Sequence, residues 1–330
     1  MTAGQGSNGS MRSPVTGTDA IAVDTLGKRF GATTALENVS FRVAPGELLG
    51  FIGPDGAGKT TLFRILATLL VPGSGRARVL GHDVVKDLWI IRQRVGYMPG
   101  RFSLYPDLSV EENLRFFASV FGTTVAREYG QIAPIYSQLE PFKDRRAAAL
   151  SGGMKQKLAL CCALVHRPEI LLLDEPTTGV DAVSRHEFWD LLGRLKASGL
   201  TIVVSTPYMD EANRCDRVAL IQRGQLLAVD TPQAITASFD RPLLSVRAAN
   251  RYRALLALRT SPHARSVYPF GDVLHYTDAR ADAPAGQIEG EVRAFLNSSG
   301  FADVVVTPIA ATVEDVFIAR MTANDREDAA

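Results

Sequence analysis

The sequence has few of the features that mark a secreted, metal-binding or membrane-spanning chain. Its three cysteines, the adjacent pair Cys161 and Cys162 plus Cys215, form neither a C-x-x-C pattern nor an even-numbered set. Such cysteines are typical of reduced, buried thiols rather than of a disulfide framework or a metal site. The apolar runs have the length of strands and fall well short of the ~18 residues that a membrane span needs. We therefore expect no disulfides and no membrane-spanning segment.

Net charge is also nearly absent. Lysine and arginine together number 36, and aspartate and glutamate number 35, so the formal net charge is +1. A chain this evenly balanced offers no electrostatic excess for nucleic acid or for a bulk membrane surface. We expect no nucleic-acid partner, and we expect any protein partner to be recognised by shape.

The 330 residues are enough for about two domains, and the pattern along the chain predicts where they lie. Residues 1–20 are rich in glycine, serine and threonine, which predicts a disordered N-terminal tail. Residues 21–240 alternate strand-like and helix-like segments, as in a largely parallel sheet covered by helices, with a helical subdomain at about 98–165. Residues 241–330 show short strands and one or two helices. We interpret them as a small α+β domain for regulation or dimerisation.

A complete phosphate-binding loop, G-x-x-x-x-G-K-[ST], directly follows the apolar run at residues 47–52. Glycines at such a loop let backbone N–H groups converge on phosphates, and the start of the following helix favours anions. Lys59 is expected to reach the β- and γ-phosphates, and the Thr60 hydroxyl is expected to ligate Mg²⁺. The residues that we assign to a bound nucleoside triphosphate are Gly53, Asp55, Gly56, Ala57, Gly58, Lys59, Thr60 and Thr61.

Two adjacent carboxylates end a second apolar run. Asp174 and Glu175 follow four aliphatic residues at 170–173, as expected where a buried strand reaches the carboxyl edge of a sheet. Asp174 is predicted to hold Mg²⁺, usually through water, and Glu175 to orient and polarise the water that attacks the γ-phosphate. Lys59 and Glu175 are thus the predicted catalytic residues, and Thr60 and Asp174 the predicted metal ligands.

A third motif, Leu150-Ser151-Gly152-Gly153, lies shortly before the strand that ends at Asp174. With the motifs in this order, residues 21–239 resemble the ATP-binding subunit of ABC transporters. The closing segment Thr312-Val313-Glu314-Asp315-Val316-Phe317 resembles the end of the type 2 ABC exporter subfamily, which exports drugs, lipids or polysaccharides. The resemblance implies an α/β P-loop NTPase fold, with a mixed-sheet core and a helical subdomain, and an ATPase that uses ATP and Mg²⁺.

The resemblance also implies a head-to-tail dimer in which each ATP lies between one subunit's phosphate loop and the other subunit's signature. Ser151, Gly152 and Gly153 form that signature, and a glycine-rich helix start suits a γ-phosphate. Asp181 falls in the D-loop, and Phe30 matches the aromatic residue that stacks on adenine. Met154 stands where the signature ordinarily has glutamine, a mild departure because the glycine N–H groups remain.

The family's ATP-binding subunits act on a separate membrane permease, so the resemblance implies a permease partner and a peripheral position at the cytoplasmic face of the cell membrane. Phe102, Leu104 and Tyr105 are the residues expected to form the groove for the permease. A soluble ABC protein of DNA repair or translation is disfavoured, because the chain has one cassette and lacks room for a long coiled-coil insertion between the phosphate loop and the signature.

Two residues that ordinarily sense the γ-phosphate are missing. Gly100 stands where the Q-loop has glutamine, and Pro207 stands where the H-loop has histidine. Glycine offers no amide, and proline offers neither a side-chain donor nor a backbone N–H. Losing one preorganised donor typically slows catalysis by ~10²–10³. We therefore expect the chain to be the weakened half of a heterodimeric ATPase pair. A homodimeric active ATPase and a non-catalytic nucleotide sensor stay open as alternatives.

Overall fold

The structure is a computed structural model that describes residues 19–101 and 103–327, with side chains described as far as residue 322. Residues 1–18 of the predicted tail, and Phe102, lie outside the described residues. Contacts divide the chain into two units. The first comprises the residues up to 207 together with 223–226, and the second comprises 208–222 and the residues from 227 onward. The domain boundaries proposed from the sequence stay predictions.

The first unit contains two sheets and a set of helices. Its strands are β1 (Ile21–Phe30), β2 (Thr33–Val43), β3 (Leu48–Ile52), β4 (Ser74–Val79), β5 (His82–Asp83), β6 (Val95–Met98), β7 (Ile170–Asp174) and β8 (Thr201–Thr206). Its helices are α1 (Lys59–Leu66), α2 (Leu88–Arg94), α3 (Val110–Val120), α4 (Val125–Tyr136), α5 (Gly152–Leu164) and α6 (Ala182–Ala197). One sheet is antiparallel in the order β2-β1-β4-β5, and the other contains the parallel run β3-β8-β7-β6.

The parallel run brings the predicted motifs to one edge. Every residue of β3, β7 and β8 is buried, as the apolar character of residues 48–52 and 170–173 predicts for β3 and β7. Ile52 pairs with Thr206, and Asp174 pairs with Ser205, so the carboxyl ends of these strands lie side by side. Ligands of open parallel sheets bind at that edge.

Helices α3, α4 and α5 pack together in the middle of the chain. Ser109 is the N-cap of α3. Its hydroxyl accepts from the Glu112 N–H at 3.2 Å, and the Glu112 carboxylate accepts from the Ser109 N–H at 2.7 Å, a complete capping box. The prediction of buried, unbridged cysteines is confirmed, and burial raises the pKa of the Cys162 thiol well above its usual value.

From residue 208 the chain continues as a short 3-10 helix (Met209–Arg214), β9 (Arg217–Gln222), β10 (Gln225–Asp230), α7 (Pro232–Ala237), β11 (Leu243–Arg247), α8 (Arg251–Arg259), β12 (Ala264–Phe270), β13 (Val273–Asp278), α9 (Ala285–Ser298), β14 (Val305–Pro308) and α10 (Val313–Glu327). Strands β11 to β14 form an antiparallel sheet in the order β12-β13-β11-β14. With α8 and α9 between them, this is a βαββαβ unit. Its core is apolar and includes Leu244, Val246, Leu258, Leu274, Tyr276, Ile288, Val292, Leu296 and Val306. Within the described part of the chain, no helix is long and apolar enough to cross a membrane.

Candidate functional site

The phosphate loop joins β3 to α1 and is packed tightly. Gly58, the residue before α1, has a φ of +103°, and a Cβ there would lie 2.4 Å from the carbonyl oxygen of Ala35 on β2. Only glycine fits, because both the backbone angle and the space exclude a side chain. The Gly53 N–H donates to the Thr206 carbonyl at 3.4 Å, so the loop is attached at both ends. The start of α1 therefore has a fixed position with its N–H groups toward the loop.

Lys59 lies at the centre of this arrangement. Its ammonium group donates to the carbonyl oxygens of Gly53 at 2.7 Å and Pro54 at 2.9 Å, and it forms an ion pair with the Glu175 carboxylate at 3.0 Å. The Lys59 side chain is only 2% exposed. Three contacts match the three donors of an ammonium group. The two predicted catalytic residues are thus in direct contact, although they lie far apart in the sequence.

Asp174 is held by two hydroxyl groups. The Ser205 hydroxyl donates to Asp174 Oδ1 at 2.7 Å, and the Thr60 hydroxyl is hydrogen-bonded to the same carboxylate. Burial raises the pKa of Asp174, and the two hydroxyl bonds only partly offset that effect. The carboxylate and the Thr60 hydroxyl are hard oxygen ligands of the kind that Mg²⁺ prefers. Among the described residues no cluster of three or more metal-binding side chains exists, so a cation here would need phosphate oxygens as well.

The backbone at Glu175 is in the left-handed region, with φ of +51°. For a residue other than glycine this conformation costs of order 1 kcal/mol and tends to occur at functional sites. The Glu175 N–H donates to the Ser205 hydroxyl at 2.9 Å. Ser205 therefore positions both carboxylate residues, a role that sequence reasoning missed. A serine at the end of the strand beside the two carboxylates is the signal that could have identified it.

Gly100, which replaces the sensing glutamine, lies beside the two carboxylate residues. Pro207, which replaces the sensing histidine, follows the adjacent strand β8. A Cβ on Gly100 would lie 2.9 Å from the Asp174 carbonyl oxygen and 3.6 Å from the Cβ of Glu175. Gly100 is thus adjacent to both carboxylate residues, with no room for a side chain as the backbone stands. Pro207 directly follows β8, next to Thr206. Neither position supplies a side-chain hydrogen-bonding group.

The signature motif forms the start of α5. Ser151 is the N-cap, and its hydroxyl accepts from the Met154 N–H at 3.3 Å. Ser151 and Gly152 are exposed, whereas Gly153 is buried. No acidic residue occupies the first turn of α5, so its positive end is not neutralised from within the helix. The exposed end of α5 can therefore accept an anion.

The signature packs against the D-loop. A Cβ on Gly153 would lie 2.6 Å from the Ser184 hydroxyl of α6, and one on Gly152 would lie 3.7 Å from the Gly179 carbonyl oxygen. Asp181 caps α6 by accepting from the Ser184 N–H at 3.0 Å, and this bond lowers the pKa of the Asp181 carboxyl. The structure thus brings the signature and Asp181 to one surface.

Phe30 lies at the end of β1, on the hairpin whose second strand carries the Ala35 carbonyl that contacts Gly58. Its ring is 51% exposed, and the Lys28 ammonium lies 5.4 Å from the ring centroid. An exposed ring on the hairpin that borders the phosphate loop can stack on a flat base. The adenine contact of Phe30 stays a prediction.

The predicted groove for a membrane partner is only partly right. Leu104 is 6% exposed, so it packs inside the unit and cannot form a docking surface. Tyr105 is 47% exposed, and its ring packs edge-on against Phe116 with centroids 4.8 Å apart. Phe116, at 38% exposure, is a surface residue as well.

Known proteins similar to this chain are ATP-binding proteins of ABC transporters. The ABC transporter family model matches residues 36–178. The "Daunorubicin resistance ATP-binding protein DrrA3" of Streptomyces coeruleorubidus is 34% identical over 317 residues, which cover 93% of this chain and 97% of that protein. The chain belongs to the ABC transporter family of ATP-binding proteins. The match of the family model and the motifs described above identify its first unit as an ABC ATPase cassette. A structure of the MJ0796 cassette bound to ADP and Pi, which is 26% identical, superposes with a TM-score of 0.58.

Two further comparisons refine the family assignment. The "Probable multidrug ABC transporter ATP-binding protein YbhF" of Escherichia coli (strain K12) is 44% identical over 223 residues, 67% of this chain. The match spans only 39% of that relative. The dimeric structure of MJ0796, a bacterial ABC transporter cassette, superposes with a TM-score of 0.59 at 25% identity, covering 64% of this chain and 98% of that one. The names of the relatives agree with the predicted type 2 exporter subfamily.

Proposed function

We propose that this chain is the ATP-binding subunit of an ABC exporter, that it energises a separate membrane permease, and that its own site binds ATP but hydrolyses it slowly. In the proposal its signature completes the site of a second ATPase subunit with intact sensing loops. One observation carries the proposal. The phosphate loop and both carboxylates are complete, yet Gly100, beside the two carboxylate residues, and Pro207, directly after β8, offer no side-chain group to a γ-phosphate or to water.

Nucleotide binding needs residues that are all present. Lys59 would exchange its carbonyl contacts for the β- and γ-phosphates, and the N–H groups at the start of α1 would bind the same oxygens. Thr60 and Asp174 would hold Mg²⁺, which supplies charge neutralisation of the phosphates when it is bound. Phe30 would cover the adenine ring. We expect binding to survive the loss of the two sensing residues, because none of these contacts involves residues 100 or 207.

Hydrolysis depends on groups that are partly missing. Glu175 can orient and polarise a water molecule, but a second polar group is needed to fix that water in line with the bond to be broken. Each missing preorganised donor costs ~10²–10³ in rate. The Glu175 carboxylate is also ion-paired with Lys59 at 3.0 Å, a contact that competes with a hydrogen bond to water. Slow turnover at this chain's own site follows.

Dimerisation is proposed from the signature. The exposed start of α5 presents free N–H groups, and none of the described hydrogen bonds of Ser151 reaches the phosphate loop of the same chain. A second subunit would bring a phosphate to them, as in a head-to-tail pair, and the likeness to the dimeric MJ0796 cassette supports this arrangement. The proposed partner carries the glutamine and histidine that this chain lacks.

The permease contact is proposed at the exposed aromatic pair Tyr105 and Phe116. Aromatic residues are enriched at interface centres, and this pair lies just beyond the segment that carries Gly100. Binding there would hold the chain at the cytoplasmic face of the cell membrane. The relatives' names concern multidrug transport and daunorubicin resistance, and we propose export for this chain without assigning its substrate, which the permease would select.

One alternative has an observation in its favour. Glu175 is intact and ion-paired with Lys59, so a homodimer with modest activity at both sites is the second candidate. A non-catalytic sensor is disfavoured by the same residue, since a sensor has no need of a positioned general base.

Calorimetric titration of the isolated chain with MgATP, together with a phosphate-release assay, tests the proposal. We expect saturable binding with slow release, and loss of binding in Lys59→Ala. Lys143→Ala, which removes an exposed lysine away from the loop, is the matched control and should bind normally. Turnover of the isolated chain at rates typical of working transporters would reject the weakened site.

A further inference from the structure

The second unit contains a cavity of about 240 Å³ that the cassette chemistry does not use. Its walls come from β12, β13, α10 and the segment at residues 238–241, and every lining residue belongs to this unit. A buried water occupies roughly 10–15 Å³ on the same measure, so the cavity is far larger than a hydration site. Drug-sized pockets run to ~300–1,000 Å³, so the space suits a smaller molecule.

A buried histidine–aspartate pair forms one wall. His275 Nδ1 lies 2.7 Å from Asp315 Oδ1, and the two side chains are 7% and 5% exposed. The other oxygen of Asp315 accepts from the Thr312 N–H at 2.8 Å and from its hydroxyl at 2.7 Å. Burial raises the pKa of Asp315, but the bonds from His275 and Thr312 outweigh burial and leave it below its usual value. Asp315 is therefore an ionised carboxylate whose oxygens both have partners.

The His275–Asp315 pair uses one imidazole nitrogen, Nδ1, and leaves the other, Nε2, without a bond to Asp315. Because Asp315 is an acceptor, the proton of a neutral His275 lies on Nδ1, and Nε2 is left as an unprotonated hydrogen-bond acceptor. The Phe270 ring stacks on the imidazole with centroids 4.1 Å apart, which fixes its plane. His275 lines the cavity, and its Nε2 has no hydrogen-bond partner among the described residues. An oriented ring nitrogen without a protein partner, on a side chain that is only 7% exposed, is available to a ligand.

The remaining polar groups give the cavity an excess of positive charge. Arg265 is an exposed residue at the wall of the cavity and has no ion-pair or hydrogen-bond partner among the described residues. Arg320 donates to two neutral groups, the Leu227 carbonyl at 2.7 Å and the Ser238 hydroxyl at 3.2 Å. The acidic lining residue Asp240 has a side chain that is 82% exposed and lies 3.9 Å from its own partner, Arg241. Arg265 and Arg320 thus have no carboxylate partner among the described residues.

We propose that this cavity is a binding site for a compact organic anion. A carboxylate or phosphate group would be held by Arg265 and Arg320, because guanidinium groups match both anions in a bidentate way. A hydroxyl group of the same molecule would donate to His275 Nε2, which is an acceptor when the ring proton lies on Nδ1. Ile318 and Ala319 of α10 offer an apolar wall for the body of the molecule. The inference rests on the second unit alone and does not depend on the proposed function of the cassette.

The histidines provide a direct readout, because the full chain has five and none of the other four lines the cavity. We would record imidazole resonances by NMR, assign His275 from the spectrum of His275→Gln, and titrate the full-length chain with salicylate and with inorganic phosphate. Using the Lys59→Ala background removes anion binding at the phosphate loop. We expect a saturable shift of the His275 signals, with the other four little changed.

Matched arginine variants locate the contact. Arg265→Ala should weaken the apparent affinity about tenfold, in line with the loss of one charge-assisted hydrogen bond. Arg259→Ala, which removes an exposed arginine of α8 outside the cavity, should leave the titration unchanged. A shift with phosphate alone supports a phosphate-bearing ligand, and one with salicylate alone supports an aromatic carboxylate. Unmoved His275 signals with both probes, or equal affinity in Arg265→Ala and the parent, would overturn the proposal.

Discussion

A single methyl group at Gly100 should disturb the carboxylate edge of the cassette. In Gly100→Ala the new Cβ would lie 2.9 Å from the Asp174 carbonyl oxygen, whereas ordinary van der Waals contacts of a Cβ begin at 3.4 Å. The contacted atom is backbone at the end of β7, which is paired with β6 on one side and β8 on the other. Such an atom cannot move as a flexible side chain can. We expect the loop at Gly100 to shift instead.

The size of the effect follows from the overlap of about half an ångström, since forcing an extra carbon into a packed site typically costs about 1–3 kcal/mol. Gly100→Gln adds the same carbon and, beyond it, the amide that the family ordinarily has. We therefore expect Gly100→Gln to be destabilised to the same extent as Gly100→Ala. Restoring the amide alone should not raise ATP turnover, because the carboxylates that must cooperate with it would be displaced.

Urea unfolding followed by tryptophan fluorescence is the appropriate assay, because Trp89 and Trp189 both lie in the first unit. Gly130→Ala is the matched control. Gly130 lies within α4, and nothing is within 4 Å of an added Cβ. That substitution should stabilise the unit by up to about 1 kcal/mol, from helix propensity. An unchanged midpoint for Gly100→Ala, or a large gain in phosphate release by Gly100→Gln, would refute the reasoning.

Two further predictions concern charge. Lys59→Ala should weaken ATP binding about 10³-fold, because a unit charge about 4 Å from a phosphate contributes roughly 4 kcal/mol at an effective dielectric of 20, and calorimetry measures this. In the second unit, burial raises the pKa of Asp278, but the bonds from Arg280 outweigh it and lower that pKa overall. Its stabilising contribution is present above the usual aspartate range and is lost as the pH falls through the lowered pKa. In Asp278→Asn the stability of the second unit should fall less as the pH is lowered, as measured by hydrogen exchange in β13. An unchanged dependence of stability on pH would contradict this prediction.

Local signals explain which features could be predicted from the sequence. The strand before the phosphate loop, the strand before Asp174 and the helix start at Ser109 are each specified by a few neighbouring residues, and all are present. The elements at 243–246 and 288–296 are specified by apolar spacing and are present as β11 and α9. The arrangement of these elements into one fold was inferred from the resemblance to the ABC transporter family.

Contacts between distant parts of the chain could not be predicted in this way. Nothing near Gly100 indicates that it lies against the Asp174 carbonyl, and nothing near His275 indicates a pair with Asp315, which is 40 positions away. Leu104 was assigned to a surface groove because it lies between aromatic residues, but its burial depends on what packs over it. Such features follow from the strand order and loop paths, which no short segment encodes.

The division of labour between two ATP sites is tested most directly by comparing two variants in the assembled, reconstituted transporter. Gly152→Asp places a carboxylate at the exposed start of α5, where the partner's γ-phosphate would bind. Glu175→Gln removes the water-activating carboxylate of this chain's own site, together with its ion pair to Lys59. Gly152→Ala is the steric control, because its Cβ would meet an ordinary contact at 3.7 Å.

The measurement is the steady-state ATPase rate of the whole assembly. The proposed arrangement predicts a loss of at least ~10²-fold for Gly152→Asp, a change within about twofold for Glu175→Gln, and near-normal activity for Gly152→Ala. Equal, severe losses in Gly152→Asp and Glu175→Gln would show two working sites and contradict the proposal.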